Sequence, residues 1–241
     1  MRIHRVFTSQ DLEPGQSLQL AERAAHYLGR VLRVAVGETV VLFNGDGHDY
    51  VTDVVSASKK TLDLAVRSRI PARRESHLKV TVVQALGRGE RMDYTLQKCT
   101  ELGAAAFQPL FSERVELKLK ADKLEKRLEH WRGVVISACE QSGRAVVPEV
   151  EQPLSLRDWL ARKSSCRRFV LDPVADGGIS SAEIPGQLEL AIGPEGGFSD
   201  AERDWMAASG VKPLTLGPRI LRTETAGPAA LAVLQAVAGD F

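Results

Sequence analysis

Residues 188–209 read LELAIGPEGGFSDAERDWMAAS. Apart from Glu189, the first five residues are apolar, as in a short buried strand. IGPEGG ends it. Pro194 fixes one φ, and Gly193, Gly196 and Gly197 allow backbone shapes that other residues resist. Ser199 with Glu202 three residues on is a capping-box pattern, so a helix starts there. The same order of strand, bare loop and helix recurs nearby. RRFVLDP (167–173) and KPLTLGPRI (212–220) are strands that each run into a Pro or Gly loop.

Working outward, KVTVVQAL (79–86) is another buried-type strand. ERMDYTLQKCTEL is helical, with Gly103 suited to its C-terminal cap, and AAAFQPLF is the next strand. Apolar Leu124, Leu128, Trp131, Val135 and Ala138 step by four, three, four and three through a long helix over 121–141, and Gly143 can end it. SLRDWLAR is a short helix capped by Ser155 and Asp158. Strands alternating with helices predict an α/β domain with a mainly parallel sheet.

The N-terminal rhythm differs. RVF and SLQL are brief strands, and AERAAHYLGRVLR has helical spacing. TVVLFNGDGHDYVTDVV reads as a hairpin with Asn44-Gly45 and Asp46-Gly47 at its tip, and Leu62, Leu64 and Val66 alternate along TLDLAVRSRI. Several short strands in so few residues predict a small β-barrel. PARRES (71–76) is the linker, which divides the chain into domains 1–72 and 73–241.

Net charge is +1, which does not announce a nucleic-acid binder, but residues 1–74 carry 11 Lys and Arg against 8 Asp and Glu. That bias fits an anionic partner, and equally an ordinary solvated surface. Cys99, Cys139 and Cys166 show neither a disulfide framework nor metal-ligand spacing, so no metal is expected. With no span-length apolar run and no signal-peptide core, the expected location is the cytoplasm.

GRGERM (87–92) imitates a dinucleotide fingerprint, but Met92 stands where the third glycine belongs and no acidic residue follows at the expected distance. A tight turn with exposed arginines explains it better, and Arg88 and Arg91 suit RNA phosphates. CEQSGR (139–144) reads as a helix C-terminus or as a polar cleft lining. In LGPRILRTETA (216–226), two arginines sit among apolar residues and want an anion. Glu224 offers one, and Thr223 or Thr225 can cap the next helix. From Ala226 to Ala238 the only strongly polar side chain is Gln235, so that helix belongs deep in a core or in a subunit interface.

QKCTELGAAAFQPLFSER, EQSGRAVVPEV, GPEGGFSDAE and LGPRILRTETA together resemble the RsmE family of 16S ribosomal RNA (uracil-N3) methyltransferases, of the SPOUT class. The resemblance spans the chain. It implies a PUA-like barrel followed by a SPOUT α/β domain with a trefoil knot, a homodimer, and S-adenosylmethionine as donor. The 16S RNA or small ribosomal subunit is the implied partner. Where the family usually has a lysine-rich approach to the first catalytic-domain helix, this chain has Gly87-Arg88-Gly89-Glu90-Arg91.

By the same resemblance, LDPVADGG, IGPEGG and LGPRILRTETA are the knot loops. The cofactor residues are then Leu171, Ile192, Gly193, Pro194, Gly196, Gly197, Leu216, Gly217, Ile220, Leu221, Thr225 and Ala226. Arg222, oriented by Glu224, would stabilise the negative charge that develops on uracil, since a guanidinium beside a sulfonium is repelled. Glu195 and Glu224 are candidate bases, with solvent as the alternative. RNA contacts are expected from Arg5, His26, Arg30, Arg33, Arg88 and Lys98. The rival functions are a non-catalytic RNA-binding assembly factor, a SPOUT enzyme acting on transfer RNA, and a nucleotide-dependent oxidoreductase, the last already weakened by the failed fingerprint.

Overall fold

The structure, a computed structural model, describes the chain except residues 1–3, 21, 59–60, 88–89, 115–120, 176 and 179–183, and except the side chains of 22–23, 30–31 and 121–122. It divides into two compact units. The first is Met1–Glu75 with Cys139–Val147, and the second is Ser76–Ala138 with Pro148–Phe241.

The first unit is a five-stranded sheet. Its strands are β1 (His4–Phe7), β2 (Ser17–Leu20), β3 (Thr39–Phe43), β4 (His48–Ala57) and β5 (Leu62–Pro71), in the order β1-β3-β4-β5-β2. Only the β1–β3 pair is parallel. The period-2 pattern does what it predicts: Leu62, Leu64 and Val66 of β5 and Tyr50 and Val54 of β4 enter one core. Two register shifts in the β4–β5 ladder add local twist. The expected helix over 21–33 is only partly α. α1 (Glu22–His26) passes into a π-helical turn, Tyr27–Val31, where Leu32 N–H reaches Tyr27 C=O at 3.0 Å. Arg33 follows with a left-handed φ of 54°.

Residues 139–147 are held in this unit by ion pairs and carbonyl contacts. Arg144 is 4% exposed and donates to Glu75 Oε2 through Nη2 at 2.6 Å and Nε at 3.1 Å, with Nε also 3.3 Å from Oε1. Arg74 donates to Gly143 C=O, and Arg5 donates to the C=O groups of Cys139 and Arg144. CEQSGR is therefore a helix end and an anchor, with Gly143 in the left-handed region (φ 88°). Burial pushes the Cys139 thiol up to about 12, so it stays neutral. Arg144→Leu strands the Glu75 carboxylate and should cost about 3 kcal/mol in urea unfolding. A cost within error of zero would make this pair dispensable.

The second unit is an all-parallel sheet. It contains β6 (Lys79–Ala85), β7 (Ala106–Phe111), β8 (Glu149–Val150), β9 (Leu154–Ser155), β10 (Arg167–Leu171), β11 (Gln187–Ile192) and β12 (Lys212–Leu214), ordered β12-β10-β11-β6-β7-β8 with β9 also on β7. Val80, Val82 and Val83 of β6 and Leu188, Leu190 and Ala191 of β11 are buried, as a sheet covered on both faces requires. The helices of the unit are α2 (Arg91–Glu101), α3 (Ala121–Ser142, whose last turn falls in the first unit), α4 (Leu156–Ala161), α5 (Asp200–Ala208) and α6 (Thr223–Ala238).

The capping box at Ser199 and Glu202 is formed. Glu202, 1% exposed, accepts from the Ser199 and Glu113 backbone N–H groups, both at 2.8 Å. α6 packs one side against α2, β6 and β11. Its Gln235 is fully buried and paired, accepting from Ser76 Oγ and donating to Leu102 C=O. Its other side leaves Val233 and Val237 exposed. Among the described residues no helix is long and apolar enough to cross a membrane.

Candidate active site

From β6 the chain adds β7 and β8 on one side, and it adds β11, β10 and β12 on the other. Parallel sheets bind ligands outside the strand C-termini near such a reversal. Here the C-terminal ends of β10, β11 and β12 open into a cleft of about 660 Å³. Its walls are the three Pro/Gly loops singled out in the sequence.

Each loop is fixed by its own backbone. Asp172 Oδ1 accepts from Val174 N–H at 3.0 Å and turns the first loop, while Asp172 N–H donates to Leu214 C=O and Thr215 N–H donates to Gly177 C=O. In the second, Gly197 N–H closes a turn onto Pro194 C=O at 2.8 Å, and Gly197 has φ 67°. Arg114 Nη1 holds Gly196 C=O at 2.6 Å. In the third, Gly217 has φ 96°. A Cβ built on Gly197 or Gly217 meets no protein atom within 4 Å, so bare backbone faces open space.

All the cofactor residues expected from sequence line this cleft except Thr225, which is exposed on the first turn of α6 and does not. Glu195, Arg222 and Glu224 also line it. Sequence reasoning did not place Arg91, Asp172 or Thr223 here. Arg91 needed a pairing across more than a hundred residues. Asp172 sat inside the quoted LDPVADGG but carried no expected role.

Two expectations about charge are corrected. Glu224 does not orient Arg222. Its Oε2 lies 3.8 Å from Arg91 Nε, and Arg91 Nη1 also hydrogen-bonds Glu195 Oε1. Arg91 thus bridges the second loop and the start of α6 instead of standing free for phosphate. Arg222 is the N-cap residue of α6, exposed, and has no ion pair among the described residues. Neither has Arg219. Thr223 and Thr225 are likewise not the cap: the N-cap position is Arg222, whose side chain makes no capping hydrogen bond.

Of the residues expected to meet RNA, Arg5 is spent internally. Its side chain is 12% exposed, pairs with Asp49 at 2.6 Å and stacks over Phe43. Lys98 pairs with Glu101 at 2.8 Å on the same helix. His26 and Arg33 are exposed. Arg88 and the Arg30 side chain lie outside the described residues. Among the described residues no group of His, Cys, Asp or Glu could hold a metal ion.

The family model of an RNA methyltransferase domain matches residues 74–235, and that of an RNA methyltransferase PUA domain matches residues 20–67. A ribosomal RNA small subunit methyltransferase E of Buchnera aphidicola subsp. Schizaphis graminum is 33% identical over 100% of this chain and 98% of its own length. The protein of that name from Bacillus subtilis is 31% identical over 94% of this chain and 93% of its own. A solved ribosomal RNA small subunit methyltransferase E from Neisseria gonorrhoeae, bound to S-adenosyl methionine, matches with a TM-score of 0.93 at 35% identity, with 100% of each chain covered. A chain from Legionella pneumophila, solved in complex with the cofactor SAM, matches with a TM-score of 0.94 at 38% identity, again with 100% of each covered.

Proposed function

The chain belongs to the RsmE family, the ribosomal RNA small subunit methyltransferases E, and we propose that it methylates N3 of a uridine in 16S ribosomal RNA. S-adenosylmethionine-dependent methylation of ribosomal RNA comes with the family. The uracil ring, the N3 position and the residue roles are the added part. One observation carries it: an exposed guanidinium, Arg222, with no ion pair among the described residues, stands at a cleft walled by bare backbone.

The cleft suits the donor. Adenine and ribose need backbone N–H and C=O groups in apolar surroundings, and Ile192, Leu216, Ile220 and Leu221 supply the latter. Among the described residues no lysine lines it, as fits a ligand without phosphate, and Asp172, Glu195 and Glu224 are carboxylates available to a cationic one. When bound, S-adenosylmethionine supplies an electrophilic methyl group. Arg222 then meets the uracil, loss of the N3 proton spreads negative charge over the two neighbouring carbonyl oxygens, and the planar guanidinium steadies that charge. Glu195 and Glu224 both face Arg91. Their charge is shared with that guanidinium, and solvent takes the proton.

N3 lies on the Watson–Crick edge, so the target base is unpaired or flipped out. Exposed His26 and Arg33 of the first unit supply phosphate contacts, with Arg88 and Arg30 as further candidates. The first unit is the RNA-binding domain and the second the catalytic one; the cut falls at 75–76 instead of the expected 72–73, and Cys139–Val147 goes with the first. A trefoil knot through the three loops agrees with the bonds from Asp172 to Leu214 and from Thr215 to Gly177. A homodimer formed through α6 accounts for Val233 and Val237 on its open side. A ribosomal substrate puts the enzyme in the cytoplasm. A non-catalytic assembly factor and a transfer RNA enzyme have no observation in their favour.

The test is nucleoside mass spectrometry of 16S RNA from small subunits of a deletion strain, before and after incubation with purified protein and S-adenosylmethionine. One new 3-methyluridine is expected. Methylation of another base, or at another ring position, overturns the assignment to N3.

A further inference from the structure

Two buried side chains, Thr223 in the cleft wall and Gln84 beneath it, take no part in the chemistry above. Gln84 of β6 is 2% exposed and Thr223, the first residue of α6, is 9% exposed. Gln84 Nε2 donates to Ala85 C=O and to Thr223 Oγ1, both at 3.0 Å. Thr223 Oγ1 lies 2.7 Å from Gly193 C=O. The sense of the chain is fixed. An amide nitrogen only donates, so the hydroxyl accepts from Gln84 and its own proton goes to Gly193. We infer that Gln84 and Thr223 are positioning residues, a buried hydroxyl relay that sets Arg222 against the cofactor loop for methyl transfer.

The placement explains why a threonine is used without capping. It follows Arg222 directly, and its side chain is locked at both ends to β6 and to the second loop. The Cα of Arg222 therefore has a fixed offset from Gly193. That loop has little slack to compensate: a Cβ on Gly193 would already stand 3.3 Å from the Phe198 ring. The inference rests on the proposed function, because it concerns how a donor in the loop and a base under Arg222 are aligned. Displacing a reacting pair by a fraction of an ångström costs rate far more than binding.

Thr223→Val keeps the shape and removes the hydroxyl, whereas Thr223→Ser keeps the hydroxyl. With unmethylated small subunits and saturating S-adenosylmethionine, Thr223→Val should lower kcat about 30-fold. Its Kd for S-adenosylmethionine, measured by calorimetry, should rise less than about threefold, and Thr223→Ser should keep kcat within about threefold of wild type. Should Thr223→Val fail to fold, Gln84→Met removes the donor at similar volume and carries the same test. Wild-type kcat in the folded hydroxyl-less variant overturns the relay. So does Thr223→Ser as slow as Thr223→Val, or a loss confined to Kd. An inactive wild-type protein would instead overturn the function and is distinguished in the same assay.

Discussion

Arg222→Ala should slow methyl transfer about a thousandfold at saturating cofactor, the loss seen when a preorganised donor to a developing anion is removed. Its Kd for S-adenosylmethionine should move less than about threefold. Arg222 caps α6 with an extended backbone (φ −64°, ψ 151°), is exposed, and has no ion pair among the described residues. Among the described residues no carboxylate pairs with its guanidinium, and a sulfonium would repel it. The uracil oxygens are then its natural partner. Arg219→Ala is the control, since Arg219 is another exposed cleft arginine without an ion pair among the described residues. It sits on the third loop instead of at the head of α6, and only a several-fold loss is expected there. Parallel loss of rate and cofactor affinity in Arg222→Ala would put this side chain in the cofactor pocket. Loss in Arg219→Ala alone would move the catalytic role three residues upstream.

What could be read from sequence was local. Ser199 and Glu202 predict their own capping box because both partners lie within one turn. Leu62, Leu64 and Val66 predict their shared face because strand geometry has period 2. The three bare loops could be located because Gly and Pro restrict or release φ wherever they stand. Pairings across the chain were not legible. Glu224 looks like a partner for Arg222 two residues away, yet positions i and i+2 at a helix start diverge. The guanidinium that reaches Glu224 is Arg91, more than a hundred residues earlier. Arg5 read as a free cation because nothing local shows that Asp49 and the carbonyls at 139 and 144 surround it. The π-helical turn at Tyr27–Val31 and the two-residue strands β8 and β9 carry too few residues for any period to register.

Gly197→Val should cripple cofactor binding, weakening Kd about a hundredfold. Gly210→Val should leave Kd unchanged. The two glycines form a matched pair. Gly197 has φ 67° and Gly210 has φ 76°, and a Cβ on either meets no protein atom within 4 Å. Each substitution forces a β-branched residue into the left-handed region at about 1–2 kcal/mol, so both variants should lose similar stability. They differ in what the new side chain faces. Gly197 lines the cleft, whereas Gly210 follows the C-cap of α5 and does not. Valine at 197 therefore occupies space that the ligand needs. Overpacking of about 1–3 kcal/mol covers the roughly 2.8 kcal/mol of a hundredfold change. Calorimetry with S-adenosylmethionine on both folded variants decides it. Equal affinities would place the donor away from the second loop. Equal losses would mean that strain alone, wherever it arises in this unit, is enough to close the site.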